Sequence, residues 1–90
     1  MVADAQKLCW NPKVSCRTLE GTAFILLKSQ MISLSEVGTK IWDLFEQGTS
    51  LSQVVPQIVA QYEVGEDVAW ADARNFVGTL VEKGMLISVD

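Results

Sequence analysis

Ninety residues, 49% hydrophobic and 20% charged, make one small folded domain rather than a disordered tail. There is no histidine, which excludes a serine–histidine or cysteine–histidine dyad, an imidazole base and a histidine metal site. A chain this short buries only about 60% of its unfolded surface, so a partner-binding role is expected and an independent enzyme is not.

Residues 1–13 are polar and mixed, and the Asn11-Pro12 turn signal closes them; they read as a flexible N-terminal arm. Trp10 is the exception in this segment, since an exposed tryptophan is costly and this one should pack against the domain or, failing that, against a partner. Cys9 and Cys16 have neither a CxxC spacing nor further ligands, so both read as small buried hydrophobes in a reducing compartment. The longest apolar stretch, Ala23 to Leu27, is too short to span a bilayer, and the start MVADAQK lacks the features of a signal peptide. The expectation is a cytoplasmic protein with no membrane partner.

From Val14 the pattern has a period of two, Val14, Cys16 and Thr18 alternating with Ser15, Arg17 and Leu19. Glu20-Gly21 is a turn, Thr22 to Lys28 a second strand, and Met31 to Leu34 a third after Ser29-Gln30. Helical periodicity begins at Ser35, a helix N-cap, with Val37, Ile41, Leu44 and Phe45 on one stripe and Gly48 as the stop. Leu51, Val54, Val55, Ile58, Val59 and Tyr62 mark the second helix. Ser50 and Gln53 read as a capping box, and Pro56 predicts a kink or a late start. The third helix runs from about Glu66 to Lys83, with an inner stripe of Ala69, Ala73, Phe76, Val77 and Leu80 and Gly84 as its cap. Met85 to Val89 follows as an extended tail. The order predicts an α+β domain over residues 14–90, a three-stranded antiparallel meander followed by three helices, with a winged helix-turn-helix likeness.

That likeness raises DNA binding, and charge argues against it. Residues 1–34 carry a balance of +2 and residues 35–90 one of −6. The third helix sets Arg74 and Lys83 against Glu66, Asp67, Asp72 and Glu82, and would repel phosphates. Glu66, Asp67 and Asp72 are explained by the dipole at the helix start rather than by acid–base chemistry, and no phosphate loop or nucleophile motif occurs. No catalytic residue, metal site or cofactor is expected.

What remains is an edge strand beside a helix. Met31, Ile32, Ser33 and Leu34 form a short apolar edge, which is either hidden by the helices or open to pairing. On the third helix Trp70, Arg74, Gly78 and Val81 run along one flank of the core stripe. They either complete the core or wall a shallow peptide groove. Edge and groove together are the layout of β-strand addition, which needs free backbone N–H groups. Ile32 would be the position to test if its N–H points outward.

The succession of motifs resembles a known family. Arg17-Thr18-Leu19-Glu20-Gly21, then Phe24-Ile25-Leu26-Leu27, then Leu34-Ser35-Glu36-Val37-Gly38-Thr39-Lys40-Ile41-Trp42-Asp43-Leu44 occur in order. Gly48-Thr49-Ser50-Leu51, Asp72-Ala73-Arg74-Asn75-Phe76-Val77 and Gly84-Met85-Leu86 complete a set covering residues 14 to 87. It is similar to the PqqD-like family, the peptide-recognition domains of ribosomal peptide modification pathways. The resemblance implies a non-catalytic domain that binds the leader of a precursor peptide and presents it to a modifying enzyme, in many pathways a radical SAM protein. Carried over by position, the peptide-binding residues are Met31, Ile32, Ser33 and Leu34 on the edge and Trp70, Arg74, Val77, Gly78 and Val81 on the helix. Ala73 departs from the larger aliphatic usual in the family, and the proline- and arginine-rich strand text of pyrroloquinoline quinone members is missing. The sequence leaves open a monomer or a homodimer, and a regulator or a stabilising subunit as other functions.

Overall fold

The computed structural model describes residues 2–89. Its elements in chain order are β1 (Leu8–Trp10), β2 (Ser15–Leu19), β3 (Thr22–Leu27), β4 (Gln30–Ser33), α1 (Glu36–Leu44), α2 (Leu51–Tyr62), α3 (Glu66–Glu82) and β5 (Leu86–Ser88). The expected meander is present as an antiparallel sheet in the order β2-β3-β4, and the three helices follow it.

Two tight turns set the sheet. Glu20 and Gly21 both have positive φ, +52° and +83°, which suits a two-residue hairpin whose twist matches the strands. In β3 the pleat sends Ala23, Ile25 and Leu27 into the core and leaves Phe24 and Leu26 on the outer face. The expected half-burial of β2 is not found, since all five of its residues are exposed. Cys16 and Thr18 share the inner face with their partners Ile25 and Ala23, yet they lie on the edge strand, where no helix covers them. Cys16 is therefore an exposed thiol and Cys9 a half-buried one, not the two buried hydrophobes expected.

Ser35 caps α1 as its position predicts, its Oγ accepting from the Gly38 N–H at 3.0 Å. The inner stripe of α1 is turned from the expected one. Val37 is exposed, and Gly38, Ile41, Trp42 and Phe45 face the core. Buried Thr39 ties this helix to the sheet, its Oγ1 accepting from the Ala23 N–H at 2.8 Å. The capping box of α2 does not form. Ser50 Oγ pairs with Ser52 Oγ, and the Ser52 N–H instead finds the Asp4 carbonyl at 2.9 Å. Pro56 lies inside α2, which still begins at Leu51; the Ser52 carbonyl it leaves unbonded belongs to a solvent-exposed residue. At the end of α3, Gly84 (φ +78°) lets its own N–H reach the Val81 carbonyl and the Met85 N–H reach that of Leu80, a Schellman cap. Buried Met85 and Leu80 add the apolar contact that accompanies such a cap.

The largest correction concerns residues 1–13, expected as a flexible arm. Residues 8–10 form β1, paired antiparallel with β5 in a second, two-stranded sheet. Leu8 is a core residue, Leu8 and Thr49 exchange backbone hydrogen bonds, and Trp10 stacks on Trp42. The first and last parts of the chain thus close one another, and a boundary at residue 13 has no physical basis. The outer ends of the expected spans, residues 1 and 90, lie outside the described residues.

Candidate functional site

The sheet has two edges, and the one toward α3 is β4. Its bonding parity follows from one observation. The Leu34 N–H donates to the Ala23 carbonyl at 2.8 Å, and in an antiparallel ladder bonded residues recur at every second position. Gln30, Ile32 and Leu34 therefore turn their backbone groups inward to β3, whereas Met31 and Ser33 turn theirs outward. Ile32 is not the outward-facing donor; it is paired with Ile25. Met31 and Ser33 are exposed, Ile32 is half-buried, and Leu34 belongs to the core.

A helix wheel divides α3 into a buried stripe of Ala69, Ala73, Val77 and Leu80 and two flanks. The flank toward β4 carries Asp72, Phe76, Thr79 and, one residue past the helix, Lys83. Gln30 Nε2 reaches the Lys83 carbonyl at 3.5 Å, and Gln30, Thr79, Glu82 and Lys83 line a shallow cavity of about 290 Å³. At the other end of β4, Phe76 leans on the first turn of α1, so closely that a Cβ on Gly38 would sit 3.3 Å from its ring. The strand from Gln30 to Ser33 covers about 10 Å, and the helix from Phe76 to Lys83 about 10 Å. The two lengths match, and between them runs a groove. It opens where β4 gives way to α1 into an apolar cleft of about 320 Å³, lined by Val37, Ile58, Tyr62, Val68 and Phe76 with Asp72 among them.

The expected helix wall lies elsewhere. Trp70, Arg74, Gly78 and Val81 occupy the opposite flank of α3, where the N-terminal segment lies beside Arg74, Gly78 and Val81. Arg74 makes a two-pronged pair with Asp4, Nε to Oδ1 at 3.1 Å and Nη2 to Oδ2 at 2.9 Å. Its guanidinium also lies 4.9 Å from the centre of the Trp70 ring. The hydrogen-bonded Arg74 guanidinium lowers the pKa of the Asp4 carboxyl, and the hydrogen-bonded Asp4 carboxylate in turn raises that of Arg74. Val2 packs on the same side, beside Gly78. Val77, also expected on the wall, is fully buried and serves the core. Edge and helix thus come together, but through Phe76, Thr79 and Lys83 rather than Trp70, Arg74 and Val81. Phe76 was readable as an apolar residue at the margin of the inner stripe, where its ring is half-buried.

Among the described residues no cluster of three or more carboxylates or thiols could hold a metal ion, and no helix is long and apolar enough to cross a membrane. The chemistry on offer is backbone pairing along an open edge beside an apolar wall.

Three comparisons bear on this geometry. Residues 18–86 match the family described as coenzyme PQQ synthesis protein D (PqqD). Among solved structures, a chain described as TbiB1 in complex with the TbiA(beta) leader peptide superposes with a TM-score of 0.82 at 25% sequence identity. The match covers 91% of this chain and 98% of that one. Among curated proteins none matches the sequence.

Proposed function

The chain belongs to the PqqD family, and on that premise we propose that it binds the leader segment of a ribosomally made precursor peptide as an added strand on β4. In this reading the domain is not itself an enzyme. It presents the held peptide to a modifying enzyme, of the radical SAM type in the form we favour. The observation that carries the reading is the free backbone of Met31 and Ser33 facing a groove whose other wall is the Phe76–Thr79–Lys83 flank of α3. The leader complex of the similar TbiB1 chain supports it.

The pleat assigns two roles to the bound strand. Residues opposite Ile32 point into the groove, toward Phe76 and the apolar cleft, and select by fit. Residues opposite Met31 and Ser33 receive the backbone hydrogen bonds and supply affinity that is indifferent to side chain. A binding module of this kind needs neither histidine nor a deep pocket, as the composition requires. Calorimetric titration of the full chain with synthetic candidate leader peptides, the TbiA(beta) leader among them, tests the reading. Saturable one-to-one binding is expected, and absence of heat and of any shift in melting temperature would overturn it.

A further inference from the structure

The outer face of the β2-β3-β4 sheet takes no part in the core or in the groove, yet it is apolar. Cross-strand register lays it out in rows: Ser15, Leu26 and Met31, then Arg17, Phe24 and Ser33, then Leu19 and Thr22. Leu19, Phe24, Leu26 and Met31 are 52%, 38%, 45% and 69% exposed. Four large apolar side chains gathered on one sheet face mark an interaction surface rather than scattered surface hydrophobes. Its charge is distinctive as well. Arg17 lies within the face beside Phe24, and exposed Lys28 stands in the turn next to Leu26 and Met31, against the single carboxylate of Glu20 in the turn beside Leu19. Residues 35–90, by contrast, carry the balance of −6.

Resting on the leader-binding reading, we propose that this face docks the modifying enzyme through an apolar patch bearing carboxylates, and that a bound leader completes the surface. The charges select the occupant. A second copy would bring up a face of the same net positive sign, Arg17 and Lys28 against Glu20, which disfavours a symmetric dimer, whereas a carboxylate-bearing patch is attracted. Continuity with the groove supplies the coupling to the peptide. A strand added at β4 extends the sheet, and its residues opposite Met31 and Ser33 must point to this same outer face. The loaded domain therefore presents a wider apolar surface than the empty one, and the enzyme engages the loaded form more tightly.

The test uses the full chain, a purified candidate modifying enzyme of the radical SAM type, and a leader peptide lacking the residues to be modified, which prevents the substrate itself from bridging the two proteins. Enzyme affinity is measured by biolayer interferometry with and without leader, for wild type, Leu26→Glu and Arg17→Glu. Leader affinity and melting temperature are measured in parallel. Both variants are expected to fold and to bind leader within about twofold of wild type, while losing about tenfold or more in enzyme affinity; leader should tighten enzyme binding to wild type several-fold. Enzyme affinity undiminished in both variants would overturn the proposal, and so would a leader effect of nil. A wild-type dimer in sedimentation velocity that Leu26→Glu disperses would overturn it in favour of a second copy. Failure of the wild type to bind leader refutes the leader-binding reading itself and this proposal with it.

Discussion

The indole rings of Trp10 and Trp42 stack with centroids 4.6 Å apart and planes 11° from parallel, and Trp10 Nε1 donates to the Trp42 carbonyl at 2.7 Å. Trp42 is wholly buried at the inner face of α1, so this contact fastens the N-terminal segment to the centre of the domain. Asn11 reinforces it by bonding both to Gly84, through its side chain, and to Met85, through its backbone N–H. The segment before the meander is thus a structural member that closes the helical half.

The stack and its neighbour Leu8 predict a stability cost. Trp10→Ala removes a half-buried ring and its hydrogen bond and should lower unfolding free energy by about 2–3 kcal/mol. Leu8→Ala, at a fully buried site, should cost about 2–5 kcal/mol. Urea denaturation of both variants checks this, and losses below about 0.5 kcal/mol would mean a loosely held segment.

Edge parity predicts an asymmetry between neighbouring prolines. Ser33→Pro deletes an outward N–H that no strand of the sheet uses, so the fold should survive while leader affinity falls by about tenfold or more. Ile32→Pro deletes the N–H bonded to Ile25 and should instead lower the melting temperature. Calorimetric titration beside thermal melts separates the two. A Ser33→Pro variant that folds normally and binds leader like wild type would rule out strand addition at β4.

The two flanks of α3 should respond differently. Phe76→Ala opens the wall facing β4 and is expected to weaken leader binding by about tenfold. Arg74→Ala breaks an exposed ion pair on the far flank and should leave leader affinity unchanged and stability nearly so. The reverse pattern in a peptide titration would place the groove on the Trp70 side.

Asp4 gives this small effect a pH signature. Its carboxyl is lowered in the folded state, so the pair's contribution is fully present above the ordinary carboxylate value. It is lost as pH falls through the lowered one. Melting curves of wild type and Asp4→Asn should therefore differ slightly at neutral pH and converge in acid. A difference that grows on acidification would contradict the assignment.

Ionic strength distinguishes an added strand from a nucleic-acid contact. Backbone pairing and apolar burial predict a change of no more than a few-fold between about 50 and 200 mM salt, against about 10³–10⁵ for a partner making six to ten phosphate contacts. Titrating the leader and a duplex DNA across that range checks it. Steep salt dependence with DNA selectivity would overturn the peptide reading.

The sequence by itself determined the order of the meander and the three helices, and most of the core. The apolar run of the second strand and the 3.6-residue periodicity after residue 35 are local properties of the chain, carried by residues such as Ile25, Val54, Ala73 and Leu80. Gly84 as a helix stop and Ser35 as a cap were legible for the same reason, because each acts within one turn. The tertiary structure decided what depends on meetings between distant segments. Three residues are too few to show a strand's alternation, so β1 became visible only in its pairing with β5, whose residues lie near the other end of the chain. A helix wheel yields two flanks for α3 but not which one meets β4. That is set by how the helices return across the sheet, and the return put Phe76 on the groove and gave Arg74, stacked over Trp70, to the N-terminal segment. The direction of each N–H along β4 was likewise undetermined until the turn length and the Leu34 to Ala23 bond fixed the register, because a shift of one residue exchanges every inward donor for an outward one.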